Sequence, residues 1–306
     1  MDGLPASYLP ARITRREDHT DDLATFWLRP ERPVAFRPGQ YVTLALPGEI
    51  DGRLVKRPYS VLSAPHETAI ELFVERVEGG ELTPRLFDRG PGDTIGIRGR
   101  AAGAFALDTA CTHHAMACTV TGVAPFLSML RDAASGESPS GDTASSESAS
   151  GARGHRFLVL YGASTPADLG PYADELAAFT RGEHVTAVAT VSRPWAAPEW
   201  TGESGRVEDV LRKHLDALGW PLAETAGYAC GNPVMVENVQ GVLKRAGLDA
   251  AHLHEEAYLP DAGESAPASA PPASAPPAAA PARRQGPPVG PPGGIVLKTA
   301  PRPRET

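Results

Sequence analysis

Arg57-Pro58-Tyr59-Ser60 sits within the strand-like run 54–62, which follows the turn pair Pro47-Gly48. In a β-strand, residues 57 and 59 share one face, while Ser60 lies on the other or at a bend. The stretch therefore sets a guanidinium beside a phenol ring. Arginine is suited to bidentate contact with a phosphate, and a tyrosine ring offers a flat surface for stacking. Similar short segments flank it, at residues 24–28, 41–46, 70–77 and 94–98. Turn pairs punctuate them: Pro38-Gly39, Gly79-Gly80 and Pro91-Gly92. Such spacing predicts an antiparallel β-barrel or sandwich.

After about residue 110 the pattern changes. Apolar runs at 114–120, 157–161, 185–191 and 227–229 read as buried parallel strands, and helical stretches follow at 125–133, 172–179, 207–218 and 233–246. Strand–helix alternation of this kind predicts a doubly wound α/β sheet. The expected organisation is a two-domain α+β chain, with an antiparallel β-barrel over residues 1–108 and an α/β domain over 109–262. Residues 134–154, nearly all Ser, Gly, Ala, Glu and Asp, read as a disordered surface insertion. Residues 263–306 are rich in Pro and Ala and read as a disordered tail, partly polyproline II.

The chain has 306 residues and a net charge of −8, which argues against a nucleic-acid partner. Its three cysteines, Cys111, Cys118 and Cys230, are too few for a disulfide framework and fit a reducing compartment. There is no leader and no run of eighteen apolar residues, so a cytoplasmic protein with no membrane association is expected. The nine histidines show no H-x-x-x-H or mixed His/Cys ligand spacing, so no metal site is expected.

Four further motifs accompany the opening tetrapeptide in a fixed order. They are Pro38-Gly39-Gln40-Tyr41, Gly80-Glu81-Leu82-Thr83, Thr121-Gly122-Val123-Ala124-Pro125-Phe126 and Cys230-Gly231-Asn232-Pro233-Val234-Met235. The set, spanning residues 8–260, resembles the ferredoxin/flavodoxin–NADP reductase family of FAD enzymes. That resemblance implies a barrel that holds FAD and an α/β domain that holds NADPH, with NADH as the alternative nicotinamide.

The resemblance also assigns roles to residues. Arg57 and Thr83 would anchor the FAD phosphates, with Pro58 and Leu82 beside them, and Thr83 would cap the helical stretch 85–88. Tyr59 and Tyr258 would sandwich the flavin ring, and Phe73 would lie near it. Ser60, Glu256 and Cys230 would shape the hydride-transfer site. Thr121, Gly231 and Asn232 would line the dinucleotide loops, and Ser192, Arg193 and Arg206 would select the 2′-phosphate.

Two positions depart from the family pattern: Val120 replaces the first glycine of Gly-Thr-Gly, and Ser164 replaces a further phosphate-binding arginine. A plant-type [2Fe–2S] cluster needs four thiolates, so electrons would pass to a separate ferredoxin or flavodoxin, with this chain acting as a monomer. Two rival readings share the motifs. One is the NADH-dependent reductase component of a multi-protein oxygenase, and the other is a non-enzymatic flavin-binding scaffold. The tail after Tyr258 is expected either to be plainly solvated or to fold back over the nicotinamide site.

Overall fold

The computed structural model describes residues 4–48, 53–135 and 154–258. The expected tail and residues 136–153 of the expected insertion lie outside the described residues. The first sheet contains β1 (Tyr8–Thr20), β2 (Leu23–Pro30), β3 (Tyr41–Pro47), β4 (Leu54–Ser60), β5 (Ile70–Glu75) and β6 (Thr94–Arg98). These run antiparallel in the order β4-β3-β6-β1-β2-β5. Just past β4 the two edges approach: the Leu62 amide donates to the Glu71 carbonyl at 2.9 Å, curling the sheet into a barrel. Inward-facing residues such as Ile13, Phe26, Leu44, Leu72 and Ile95 fill its core. Pro58 has no amide to donate and is accommodated because β4 is an edge strand.

Strand β1 was not singled out in the sequence, yet it runs through the middle of this sheet. Its second half, Arg15-Arg16-Glu17-Asp18, reads as polar on both faces. The guanidinium of Arg16 nevertheless lies over the rings of Phe26 and Phe87, so its stem covers the core while its charge is hydrogen-bonded.

The second sheet holds β7 (His113–Thr119), β8 (Arg156–Ala163), β9 (Val185–Val191), β10 (Glu203–Ser204), β11 (Thr225–Gly231) and β12 (Leu253–Ala257). All run parallel, in the order β10-β9-β8-β7-β11-β12. Every residue of β11 is buried, as in a strand covered on both faces. Helices α2 (Ala124–Ser135) and α3 (Tyr172–Phe179) pack on one face, and α4 (Val207–Leu218) and α5 (Pro233–Ala246) on the other. The strand order reverses between β7 and β11, and ligands of such sheets bind in the crevice beyond the carboxyl ends at that point.

The α2–α3 face also packs against the barrel, in a core that joins Leu23, Leu62 and Phe73 to Phe126, Leu169 and Tyr172. Ser128 on α2 donates to the Ser63 carbonyl at 2.7 Å. Arg131 on α2 bonds Glu71 of β5 at 2.6 Å and Glu175 of α3 at 2.7 and 2.9 Å. The Tyr172 hydroxyl donates to the other Glu71 oxygen at 2.9 Å. Glu71 is almost fully buried, and both of its oxygens are paired.

Candidate functional site

The crevice between β7 and β11 is built by close backbone contact. After β7 the chain forms a 3-10 turn, Val120–Val123, that leads directly into α2. A Cβ on Gly122 would lie 2.3 Å from the Cys230 carbonyl oxygen, so only glycine lets this turn rest on the end of β11. Gly231 has φ +128°, and a Cβ there would strike the Thr119 hydroxyl at 2.6 Å. Asn232 then caps α5, its side-chain oxygen accepting from the amides of Val234 and Met235. Cys230, Gly231 and Asn232 thus turn a buried strand into a helix in three residues.

Predicted site residues from both sheets meet at this crevice. The Ser60 hydroxyl, at the end of β4, donates to Glu256 Oε1 of β12 at 2.6 Å. The Tyr258 hydroxyl donates to Ser60 Oγ at 3.1 Å and accepts from Cys230 Sγ at 3.4 Å. Thr121 contributes its carbonyl oxygen, 3.5 Å from the same hydroxyl. The Tyr258 amide donates to the Gly231 carbonyl at 2.9 Å, carrying the β12 pairing one residue further. The cluster therefore draws on both sheets.

Burial sets the charge state of these groups. It raises the Glu256 carboxyl above the ordinary carboxylate value, and the Ser60 hydrogen bond pulls it partly back. It lifts the Cys230 thiol well up, with the Glu256 charge adding to the effect, so this cysteine stays protonated and is no nucleophile. Tyr258 is likewise held neutral by burial, with Cys230 and Glu256 reinforcing it.

On the barrel side, Arg57 and Tyr59 lie on β4 as the alternation requires, both half-buried, with Pro58 exposed between them. Arg57 donates to the Lys56 carbonyl and lies 4.0 Å from the Glu81 carboxylate. Burial raises the Tyr59 phenol, with Arg57 opposing, so the ring is neutral. Helix α1 (Thr83–Phe87) begins earlier than expected, and Leu82, fully buried, rather than Thr83 occupies its cap position. Thr83 is committed elsewhere: its hydroxyl accepts from the Val77 amide at 2.9 Å and closes the 77–83 turn. Phe73 belongs to the core between the sheets. It stacks edge-on against Tyr172 at 4.7 Å in the contact between the sheets.

Arg85 was missed in the sequence. Among the described residues, its Nε and Nη2 are the buried side-chain atoms with no hydrogen-bond partner. A buried guanidinium left unsatisfied is costly, and an anion satisfies it. Arg85 on α1 and Arg57 on β4 are both guanidinium groups of the barrel domain.

The 2′-phosphate candidates lie at the carboxyl ends of neighbouring strands. Ser192 and Arg193 follow β9, Arg206 follows β10, and Ser164 follows β8. The Ser192 and Arg193 amides donate to the Ala163 and Ser164 carbonyls at 3.0 and 2.9 Å. The Gly205 amide donates to the Val191 carbonyl at 2.9 Å, holding Arg206 next to this pair. Both arginines are exposed.

Comparison with known proteins follows the same division. The oxidoreductase FAD-binding domain model matches residues 10–106 and the oxidoreductase NAD-binding domain model matches residues 116–241. The chain is 31% identical over 248 residues to the flavodoxin/ferredoxin–NADP reductase of Shigella flexneri, covering 77% of this chain and 89% of that one. It is 28% identical over 258 residues to the ferredoxin–NAD(P)(+) reductase component of a naphthalene 1,2-dioxygenase system from Pseudomonas putida, covering 84% and 70% respectively. A crystal structure of a ferredoxin NADP+ reductase from Neisseria gonorrhoeae with bound FAD and NADP matches with a TM-score of 0.68 at 26% identity, over 83% of this chain and 99% of that one. Two domains matched in the same order, on the same two sheets that meet at Ser60 and Glu256, show that the chain belongs to the flavodoxin/ferredoxin–NADP reductase family of FAD- and NAD(P)-binding oxidoreductases.

Proposed function

We propose that this chain exchanges hydride between NADPH and FAD and passes single electrons to a separate carrier protein, ferredoxin or flavodoxin. The observation that carries this reading is the Ser60–Glu256–Tyr258–Cys230 hydrogen-bonded cluster, assembled from both sheets at the switch point. In this reading residues 1–108 form the FAD domain and 109–262 the NADP domain. Bound FAD supplies the conversion between two-electron and one-electron chemistry.

The chain's own residues bind, orient and hold protons. Arg57 and Arg85 offer cations to a pyrophosphate, and Tyr59 offers a ring face on the barrel side. Ser60 donates to Glu256 and accepts from Tyr258, so a proton can move along hydroxyl and carboxyl groups already in contact. Glu256, raised by burial, is suited to hold that proton. Arg193 and Arg206 supply paired charge for a 2′-phosphate, and the exposed Trp195 beside them offers a face to an adenine ring. The three cysteines of this chain cannot ligate a [2Fe–2S] cluster, which favours an external carrier. All three are free and buried, which supports a reducing, cytoplasmic setting. Among the described residues no helix is long and apolar enough to cross a membrane.

Anaerobic reduction of the flavin absorbance by NADPH and by NADH tests the reading. NADPH is expected to act at least tenfold more efficiently. Arg193→Ala and Arg206→Ala should each raise the KM for NADPH by about 10- to 100-fold, the loss of one charge-assisted contact, with little change for NADH. A tenfold preference for NADH favours instead the oxygenase-component reading, which the 28% identity to the Pseudomonas putida protein keeps in view.

A further inference from the structure

At the opposite end of the parallel sheet, away from Ser60 and Glu256, a second cluster of polar side chains has no part in the proposed chemistry. A carboxylate oxygen of Asp108, the sulfur of Cys111 and a ring nitrogen of His252 all lie within 4.8 Å of one another. Asp108 Oδ2 is 2.8 Å from His252 Nδ1 and 3.1 Å from His254 Nε2. Asp108 and Cys111 belong to the segment that leads from the barrel into β7, and His252 and His254 to the turn and first residues of β12. Neither D-x-x-C nor H-x-H draws attention alone; the parallel pairing of β12 with β11 brings the two together.

We infer that Asp108, Cys111 and His252, with His254 beside Asp108, form a binding site for a divalent transition metal of the Zn2+ type. One thiolate, two imidazoles and one carboxylate make a mixed N/S/O set that suits Zn2+ and is unsuited to Mg2+ or Ca2+, which take oxygen ligands. Metal–ligand bonds of about 2.0–2.3 Å in a tetrahedron place neighbouring donors roughly 3.3–3.7 Å apart. The Asp108–His252 and Asp108–His254 separations of 2.8 and 3.1 Å fall just short of that range, and the Asp108, Cys111 and His252 donors all lie within 4.8 Å, so side-chain adjustments on the order of an ångström complete the geometry.

The surroundings fit as well. Asp108 Oδ1 accepts from the Ala110 amide at 3.0 Å, and the Asp108 amide donates to the Tyr228 hydroxyl at 2.8 Å, so the carboxylate is fixed from behind. The His254 ring stacks on Tyr228 at 4.9 Å, and Gln240 donates to the His254 carbonyl at 3.2 Å. The Cys111 thiol is buried while both imidazoles reach solvent, giving an ion a route in. The bound ion clamps β12, which carries Glu256, to the segment joining the two sheets.

The test uses untagged, FAD-loaded protein stripped with chelator and then equilibrated with Zn2+ or Co2+. One ion per chain is expected, with a higher melting temperature on loading. Tetrahedral Co2+ should add ligand-field absorption at wavelengths beyond the flavin bands. Cys111→Ser and His252→Gln should each weaken binding by at least about 100-fold while leaving the flavin spectrum unchanged. Failure to retain either ion after removal of free metal would overturn the proposal. So would binding undiminished in both variants, whereas loss in His252→Gln alone is sufficient support if Cys111→Ser fails to fold.

Discussion

Val120 has φ +45°, the one positive value at a residue other than glycine among the described residues. A β-branched side chain in the left-handed region costs about 1–3 kcal/mol, and such strain persists only where the surroundings over-determine it. Here Gly122 against Cys230 on one side and the start of α2 on the other leave the turn no freedom, while the Val120 side chain packs on the core of the second sheet. Val120→Gly exchanges that packing for relief of strain and should change stability by less than about 1 kcal/mol. Val120→Ala gives up packing and keeps most of the strain, so it should be the less stable of the two variants. Urea denaturation decides, and the reverse order would show that the turn is unstrained.

Glu256 makes a second residue-level prediction. Its carboxyl is raised by burial despite the Ser60 bond, so the fold favours the protonated form. The associated stability is complete below the ordinary carboxylate value, about 4.3, and is lost as the pH rises through the raised value. Glu256→Gln still accepts from Ser60 but no longer titrates. Its stability relative to the parent should therefore rise between about pH 4 and pH 7. Urea midpoints at the two pH values measure this, and a difference that does not vary with pH would count against it.

Among the elements, α2 carries the most weight between the sheets. Arg131 reaches Glu71, Glu175 and Glu67, and its side chain is 18% exposed. Its guanidinium is held charged: burial opposes, but the hydrogen bonds to Glu175 and Glu71 prevail. Arg131→Met strands Glu71 in the contact. Breaking a fully buried pair costs about 3–5 kcal/mol, and partial exposure lowers the expected loss here to about 2–3 kcal/mol. Arg131→Met combined with Glu71→Gln should recover much of that loss, because no charge is then left buried. Equal destabilisation of the single and double variants in urea would contradict the account. This network was illegible in the sequence because its members come from four segments and none has a local signature. Strand β1 was hidden for a related reason, its charges masking the alternation. Thr83 looks like a cap because threonine suits that position, but the Val77 amide claims its hydroxyl.

For the whole molecule, the two-sheet order was legible from the turn pairs, the change in periodicity near residue 110 and the ordered motifs. The helices expected at 172–179, 207–218 and 233–246 coincide with α3, α4 and α5, because each pairs an apolar stripe with a clear stop. The meeting of Ser60, Glu256, Tyr258 and Cys230 was legible only through resemblance, since local pattern says nothing about contacts across nearly two hundred residues. The polar cluster at Asp108 and the unsatisfied Arg85 were not legible at all, because both depend on what surrounds a side chain.

The Ser60–Glu256 bond also imposes an order in time. Ser60 leaves the ribosome early, with a barrel whose strands all precede residue 100, while Glu256 and Tyr258 emerge only after the other eleven strands. A nascent or clipped chain that stops before Leu253 can hold the full barrel and most of the parallel sheet yet lacks the carboxyl and the phenol that complete the crevice. Under the proposed function, a flavin captured early would sit in a chain that still lacks the carboxyl proposed to hold its proton.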